Sequence, residues 1–432
     1  MEKNLRARGL LLVVIGIVSV LSSVPIWAAE QTMSLPMVIE YSLQHNGDLQ
    51  SFRQEKGVFE AGKVKAGLLP NPTLNVDAGT GALTGSSGES TLSVGISQEV
   101  MLAGKRRKRL AVAERELDFY KYHLADKERL IREEVTTVFY DVILAEQRLA
   151  LADRSITLNQ KLLEVSKARL AAGDIPELEM NLVKVELARS EASRIDVAKS
   201  LNQCQEKLAT ITGLPIGTRY VISGIFQSAT TLTKTLADLK QLALAQRPDK
   251  KAVESESGRG EAGVRLARAE SIPNLTVGLS VWRDTRSLKI GGLESTDKAY
   301  TLGMKLSMPI PVFDRNQAGV QEALARQSSA ESRLSITIRN VEREVETAYA
   351  SCLSSEKILS LYKADIIPQL EENLNLTEEA WRLGEVGILA VIQEQKKFFE
   401  VSENYLIALY NRQIAFVKLD SALATEINGE LE

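Results

Sequence analysis

One spacing constrains this chain more than any other. From Ile131, apolar residues recur in alternating steps of four and three: Ile131, Val135, Val138, Val142, Ala145, Leu149, Ala152, Ile156, Leu163 and Leu170, with only Asn159 and Ser166 breaking the series. A repeat of about 3.5 residues held this long marks a helix that supercoils against neighbours. No proline or glycine interrupts Lys105–Ala172, and Gly104 and Gly173 flank it. Read as one helix, the stretch is roughly 100 Å long at about 1.5 Å per residue. Such a helix must cross or brace something larger than one domain. A partial copy runs from Gln317 to Leu383, where Pro368 should bend or fray the helix.

The rest of the composition removes whole classes of function. A net charge of −3 offers no general basic field for nucleic acid. The only cysteines are Cys204 and Cys352, and the only histidines are His45 and His123. With no CxxC or HxxxH spacing, a protein-built metal site is disfavoured and no cofactor is expected. The cysteines occupy helical apolar positions, which favours two buried thiols over a disulfide. No Ser/His/Asp set, paired carboxylates in a Gly-rich frame or phosphate-binding loop points to an enzyme. Residues 1–29 have the layout of a signal peptide: Lys3, Arg6 and Arg8, an apolar run from Gly9 to Val24, then Ala28 and Ala29. An uncleaved anchor is the rival reading. No cysteine follows that run, so no N-terminal lipid attachment is expected, and no later run is long and apolar enough for a membrane helix.

Period-two alternation enters twice. Leu74, Val76 and Ala78, then Leu92, Val94 and Ile96, alternate with small polar residues, giving a hairpin over 73–100. Leu275, Val277, Leu279 and Val281, then Tyr300, Leu302, Met304, Leu306 and Met308, give strands over 274–284 and 299–308, with a polar loop from Asp284 to Lys298 between them. Met304 and Met308 lie on the apolar face, which argues packing rather than copper ligation. Two readings compete: a soluble sheet with one face on a core, or strands of a membrane barrel, whose length and Thr/Ser/Gly-rich second face these runs share. Four strands cannot close a barrel, so the second reading requires several chains.

The chain also doubles. Leu69-Pro70-Asn71 is echoed by Ile272-Pro273-Asn274, and Gly173-Asp174-Ile175 by Gly384-Glu385-Val386. Repeated order at a nearly fixed separation divides the chain into a first repeat (30–215), an irregular equatorial connection (216–234) and a second repeat (235–432). Long helices (105–172 and 317–383) turn tightly into returning helices (176–212 and 388–425). Other local signals are Asp48–Leu69 as one helix and Asp314 with Gln317 as a capping box. The basic run Lys105 to Arg109 stands where strand meets helix, either as a solvated helix start or as a contact with polar groups at a membrane rim.

Leu69-Pro70-Asn71-Pro72, Ser97-Gln98 followed by Gly104-Lys105-Arg106, and Pro309-Ile310-Pro311-Val312-Phe313-Asp314-Arg315-Asn316-Gln317, set in this doubled frame, resemble the TolC family of outer-membrane efflux channels, its cation-efflux (CzcC-like) branch most closely. The resemblance implies a mostly α fold with a small β part. It implies a homotrimer whose 12-stranded transmembrane barrel, four strands per chain, continues into an α-helical coiled-coil tunnel across the periplasm. It implies outer-membrane lipid, a periplasmic adaptor and an inner-membrane transporter of RND type as partners. Gly173, Asp174, Ile175, Gly384, Glu385, Val386 and Gly387 would form the adaptor-docking tips, although plain turn chemistry explains the same residues. A periplasmic constriction would involve Trp381 with Glu179, and ring positions matching Ala390 and Gln393. The expected acids are missing from those two, with Glu394 adjacent. The function implied is a passive exit duct of a tripartite pump for heavy-metal cations. The alternatives are a drug, small-molecule or type I secretion channel of the same fold, or a periplasmic coiled-coil scaffold or adaptor.

Overall fold

The computed structural model describes residues 31–85, 88–215, 220–226 and 234–425. The signal-peptide stretch lies outside them, as does most of the 216–234 connection. The first half comprises β1 (Gln31–Ser34), α1 (Leu35–His45), α2 (Gly47–Gln54), α3 (Lys56–Gly67), β2 (Thr73–Thr80), β3 (Ser90–Val100), α4 (Lys105–Ala172) and α5 (Glu177–Thr212). A short strand, β4 (Tyr220–Ser223), pairs in parallel with β1. The second half comprises α6 (Leu236–Gln246), α7 (Pro248–Glu270), β5 (Leu275–Ile290), β6 (Leu293–Ser307), α8 (Gln317–Leu361), α9 (Ile367–Leu383) and α10 (Ile388–Leu423).

The 68 residues of α4 run unbroken between two left-handed glycines, Gly104 at φ 66° and Gly173 at φ 80°. Its seam is packed: Val135, Val138 and Val142 are buried with Phe139 and Ile143 against Leu208 of α5, Val38 of α1, Met33 of β1 and Ile222 of β4. The two polar interruptions stay on that seam. Asn159 is buried and its Nδ2 donates to Ser190 Oγ of α5 at 2.8 Å, and Ser166 is also buried. The second half builds a parallel core from Leu239 and Ala243 of α6, Val341, Val345 and Cys352 of α8, and Phe416, Leu419 and Leu423 of α10.

The long helix of the second half is not continuous. Tyr362–Ile366 form a π-turn, and the Ile367 N–H donates to the Tyr362 carbonyl five residues back. Pro368 supplies the reason. It has no N–H for the carbonyl four residues earlier, and its ring crowds that turn, so the backbone widens by one residue.

Three local expectations change. Asp48–Leu69 is two helices, broken at Glu55, where the Tyr120 hydroxyl of α4 donates to the Phe52 carbonyl at 2.8 Å. The Asp284–Lys298 loop is ladder instead: pairing continues from Asp284↔Ala299 to Ile290↔Leu293. Gly291 (φ 62°) and Gly292 (φ 87°) close it, as a type I′ hairpin turn requires. Asp314 does not cap α8. The N-cap is Asn316, at φ 57°, whose N–H is held by Asp314 Oδ1 at 2.8 Å.

The four longer strands form one antiparallel sheet in the order β2-β3-β5-β6. Its register aligns side chains in rows. Val76, Val94, Val281 and Leu302 share one row and Leu74, Ile96, Leu279 and Met304 the next, all exposed on one face. Asn75, Gly95, Ser280 and Gly303 form a row of the other face. This corrects the expected fold. The structure is one chain with an open four-stranded sheet ending at β2 and β6, not a closed twelve-stranded trimeric barrel. Four strands are too few to close on themselves, and membrane barrels start at about eight. Among the described residues no helix is long and apolar enough to cross a membrane. The mostly α content with a small β part is as expected from the sequence.

Candidate functional site at the helix-turn-helix tips

The end of the molecule farthest along α4 from the sheet is built from two turns with one backbone plan. Gly173 and Gly384 both take left-handed φ, 80° and 79°. In the first turn the Asp174 N–H reaches back to the Arg169 carbonyl at 2.9 Å, and in the second the Glu385 N–H reaches the Ala380 carbonyl at 2.9 Å. These bonds satisfy carbonyls that a helix end would otherwise leave bare. The returning helices start alike, with Glu179 N–H on the Pro176 carbonyl at 3.1 Å and Ala390 N–H on the Gly387 carbonyl at 3.0 Å. Glu179 and Ala390 are therefore counterparts.

The two tips pack on each other. Leu162 of α4, Val183 of α5, Trp381 of α9 and Ile388, Val391 and Ile392 of α10 form one buried cluster. Trp381 sits in that cluster, 4% exposed. Among the described residues it pairs not with Glu179 but with Arg169 of α4. The guanidinium lies 5.1 Å from the indole centroid, and Nη1 donates to the Trp381 carbonyl at 2.7 Å. One cation thus terminates the neighbouring helix and covers its aromatic ring, where the helix dipole favours positive charge. Nothing in the local sequence pairs Arg169 with Trp381. The only hint is a base in the last turn of a helix.

The other singled-out residues are spread over this end. Gly173, Asp174, Gly384, Glu385 and Gly387 are exposed, Val386 is half-buried and Ile175 is buried. Leu178, Leu383 and Leu389 are also exposed, so apolar and acidic side chains alternate on the surface. Glu179, Ala390 and Glu394 are half-buried and Gln393 is exposed. Glu394 Oε1 lacks a hydrogen bond among the described residues, with Lys397 Nζ 3.8 Å away. Beside it, buried Gln395 donates to Glu378 of α9 at 3.2 Å, and Lys396 of α10 pairs with Glu186 of α5 at 2.7 Å. Among the described residues no group of three or more His, Cys, Asp or Glu is placed to hold a metal ion. The arrangement offers packing, caps and a patterned surface, not a nucleophile with its base.

A family model described as Outer membrane efflux protein matches residues 38–214 and 239–425. The cobalt-zinc-cadmium resistance protein CzcC of Cupriavidus metallidurans is 25% identical over 407 residues, covering 93% of this chain and 93% of its own. The pyoverdine export outer membrane protein OpmQ of Pseudomonas putida is 24% identical over 428 residues, 92% of this chain and 87% of its own. Solved structures share the fold. A crystal structure of CusC superposes with a TM-score of 0.75 at 18% identity, over 92% of this chain and 95% of that one. The open-state MtrE outer membrane channel of Neisseria gonorrhoeae gives 0.73 at 18%, over 91% and 89%. With one family model spanning both halves of the molecule, the chain belongs to the outer membrane efflux protein family.

Proposed function

We propose that this chain is the exit duct of a tripartite pump that expels heavy-metal cations. As a member of its family it is an efflux channel and not an enzyme. The observation that carries the reading is the arrangement of the ends. A sheet with a bare apolar face stands at one end of α4, and the paired tips stand at the other, roughly 100 Å away at about 1.5 Å per residue. The apolar face meets the outer membrane. The tips, with Leu178, Leu383 and Leu389 among Asp174, Glu177 and Glu385, dock a periplasmic adaptor that joins the duct to an inner-membrane transporter of RND type. Glu179, Ala390, Gln393 and Glu394 line the narrow end of the duct, and Trp381 anchors the turn behind them.

The cation cargo is supported by the likeness to CzcC and, over 68% of this chain, to the cation efflux system protein CusC of Escherichia coli. A small-molecule cargo is the second reading, favoured by the 24% identity to OpmQ. Deleting the chain from its host and measuring growth on cobalt, zinc, cadmium, copper and a drug panel separates them. Sensitivity to the metals alone supports the first reading, and sensitivity to organic compounds alone sinks it.

A further inference from the structure

Five cations, Lys105 to Arg109, open α4. That is where the helix dipole opposes positive charge, so their presence needs a cause. Three are used by the fold. Lys105 is buried and its Nζ donates to Asn274 Oδ1, while Asn274 Nδ2 donates to Glu99 Oε1. Arg106 Nε donates to the Gly67 carbonyl at 2.6 Å, and Arg109 pairs with Glu270 at 3.6 Å. Arg107 and Lys108 make no ion pair or side-chain hydrogen bond among the described residues.

These two do not stand alone. Residues 65–72, 99–109, 268–274 and 308–316 all adjoin the helix-side end of the sheet, and they carry eight cations against three acids in a chain of net charge −3. The three acids are engaged: Glu99 by Asn274, Glu270 by Arg109, and Asp314 by the Asn316 amide. The same connections expose Leu68, Leu69, Ile310, Val312 and Phe313, the last at 91%. From the sheet towards the helices, the surface passes from bare apolar rows to an apolar collar and then, within one helical turn, to cations. This is the polarity profile of a lipid interface from acyl chain to headgroup.

We infer that this collar binds anionic phospholipid headgroups in the leaflet nearer the helices. Phe313, Val312 and Leu69 seat at the acyl boundary, and Arg107, Lys108 and Arg315 pair with headgroup phosphates. A bilayer meets all four connections at one depth. A protein partner would need an acidic surface shaped to each. The inference rests on the outer-membrane reading above.

The test uses the full chain reconstituted in phosphatidylcholine vesicles containing about one quarter phosphatidylglycerol. Restriction of spin-labelled phosphatidylglycerol is measured against spin-labelled phosphatidylcholine. The wild-type protein should hold the anionic lipid several-fold more strongly, and about 0.5 M salt should weaken that preference. The double variant Arg107→Gln/Lys108→Gln should bring it towards parity. Lys161→Gln/Lys167→Gln removes equal charge on the same helix about 80 Å away and should leave it intact. Equal restriction of both lipids by a wild-type protein that has inserted overturns the inference alone, as does a double variant that keeps the full preference. Displacement by inorganic phosphate, but not by chloride at matched ionic strength, also overturns it, in favour of a free-anion site. A wild-type chain that never associates with the vesicles overturns the membrane reading and the inference with it.

Discussion

The two tip turns share a backbone and differ in almost every side chain that matters. Offset by a constant 211 residues, Gly173 and Gly384 have the same φ and the same reach-back bonds. Yet Arg169 faces Ala380 across that offset, Leu170 faces Trp381, Glu179 faces Ala390, and buried Val183 faces Glu394. Where a turn demands positive φ, both copies keep a residue that allows it. Where only packing is at stake, the copies have diverged until one completes the other: Arg169 of the first half finishes α9 of the second. Duplication explains the shared geometry, and the interlock explains why the halves are no longer interchangeable.

The sharpest way to break this comparison is Trp381→Ala. Emptying a buried aromatic site costs about 3–5 kcal/mol, so thermal unfolding in detergent should shift well down, and single-channel conductance in planar bilayers should rise. Its counterpart Leu170→Ala, at a half-buried position, should cost less than half of that. Equal losses would mean that the two tips are equivalent after all. Next comes Gly213→Ala. Gly213 ends α5 at φ 74°, and an added Cβ would lie 2.6 Å from the His45 carbonyl oxygen. Strain and clash together should cost roughly 2–4 kcal/mol by denaturant melt. The counterpart Ala424 already holds φ 55° as a non-glycine, so Ala424→Gly should leave stability the same or slightly raised.

Arg169→Met keeps the stem and removes the cation. Loss of the charged hydrogen bond and the ring contact should cost about 2 kcal/mol, and hydrogen exchange should quicken at the end of α9 more than at the end of α4. Exchange that quickens equally in both would deny the one-sided cap. Pro368→Ala should change stability by under about 1 kcal/mol while slowing exchange across Tyr362–Ile366, making the second long helix more like the first.

The smallest effect concerns the two thiols. Burial raises Cys352 to about 12. Burial, then the Asp141 carboxylate, also raises Cys204. Half-buried Cys204 should therefore react with a maleimide at mildly alkaline pH while Cys352 stays unlabelled. Because the folded value of Cys352 lies above that of an unfolded thiol, near 8.5, its share of stability is complete below that pH. That share is lost as pH climbs towards about 12.

Much of this architecture could be read from spacing. The four-and-three series from Ile131 lies on the packed side of α4, and Gly104 and Gly173 end it with the φ values that favour glycine. The alternating runs around Val94 and Val281 pair with each other in register. What escaped depends on distant partners or on context. Asn159 and Ser166 look like faults in a seam, but they are buried, and Asn159 finds Ser190 on another helix. Asp284–Lys298 reads as loop because charged and hydroxyl residues outnumber Leu288, Ile290 and Leu293, so alternation carries little signal there, and only Gly291-Gly292 marks the turn. The parallel pairing of β1 with β4 joins two four-residue segments far apart in the chain, too short to leave a pattern. The indole at 381 stood out as an aromatic, but its partner Arg169 is more than two hundred positions away. Closure of the sheet was inferred from a likeness, and the open four-stranded order replaces it.

The wide turn at Tyr362–Ile366 has a consequence at the far end of its helix. One surplus residue advances the angular phase of everything beyond it by about 100°. Delete a residue there and the face that now presents Trp381 to Arg169 would swing more than a quarter of the way round. The local defect at Pro368 thereby acts as the clocking of the shaft, fixing which side chains the tip turns towards its twin.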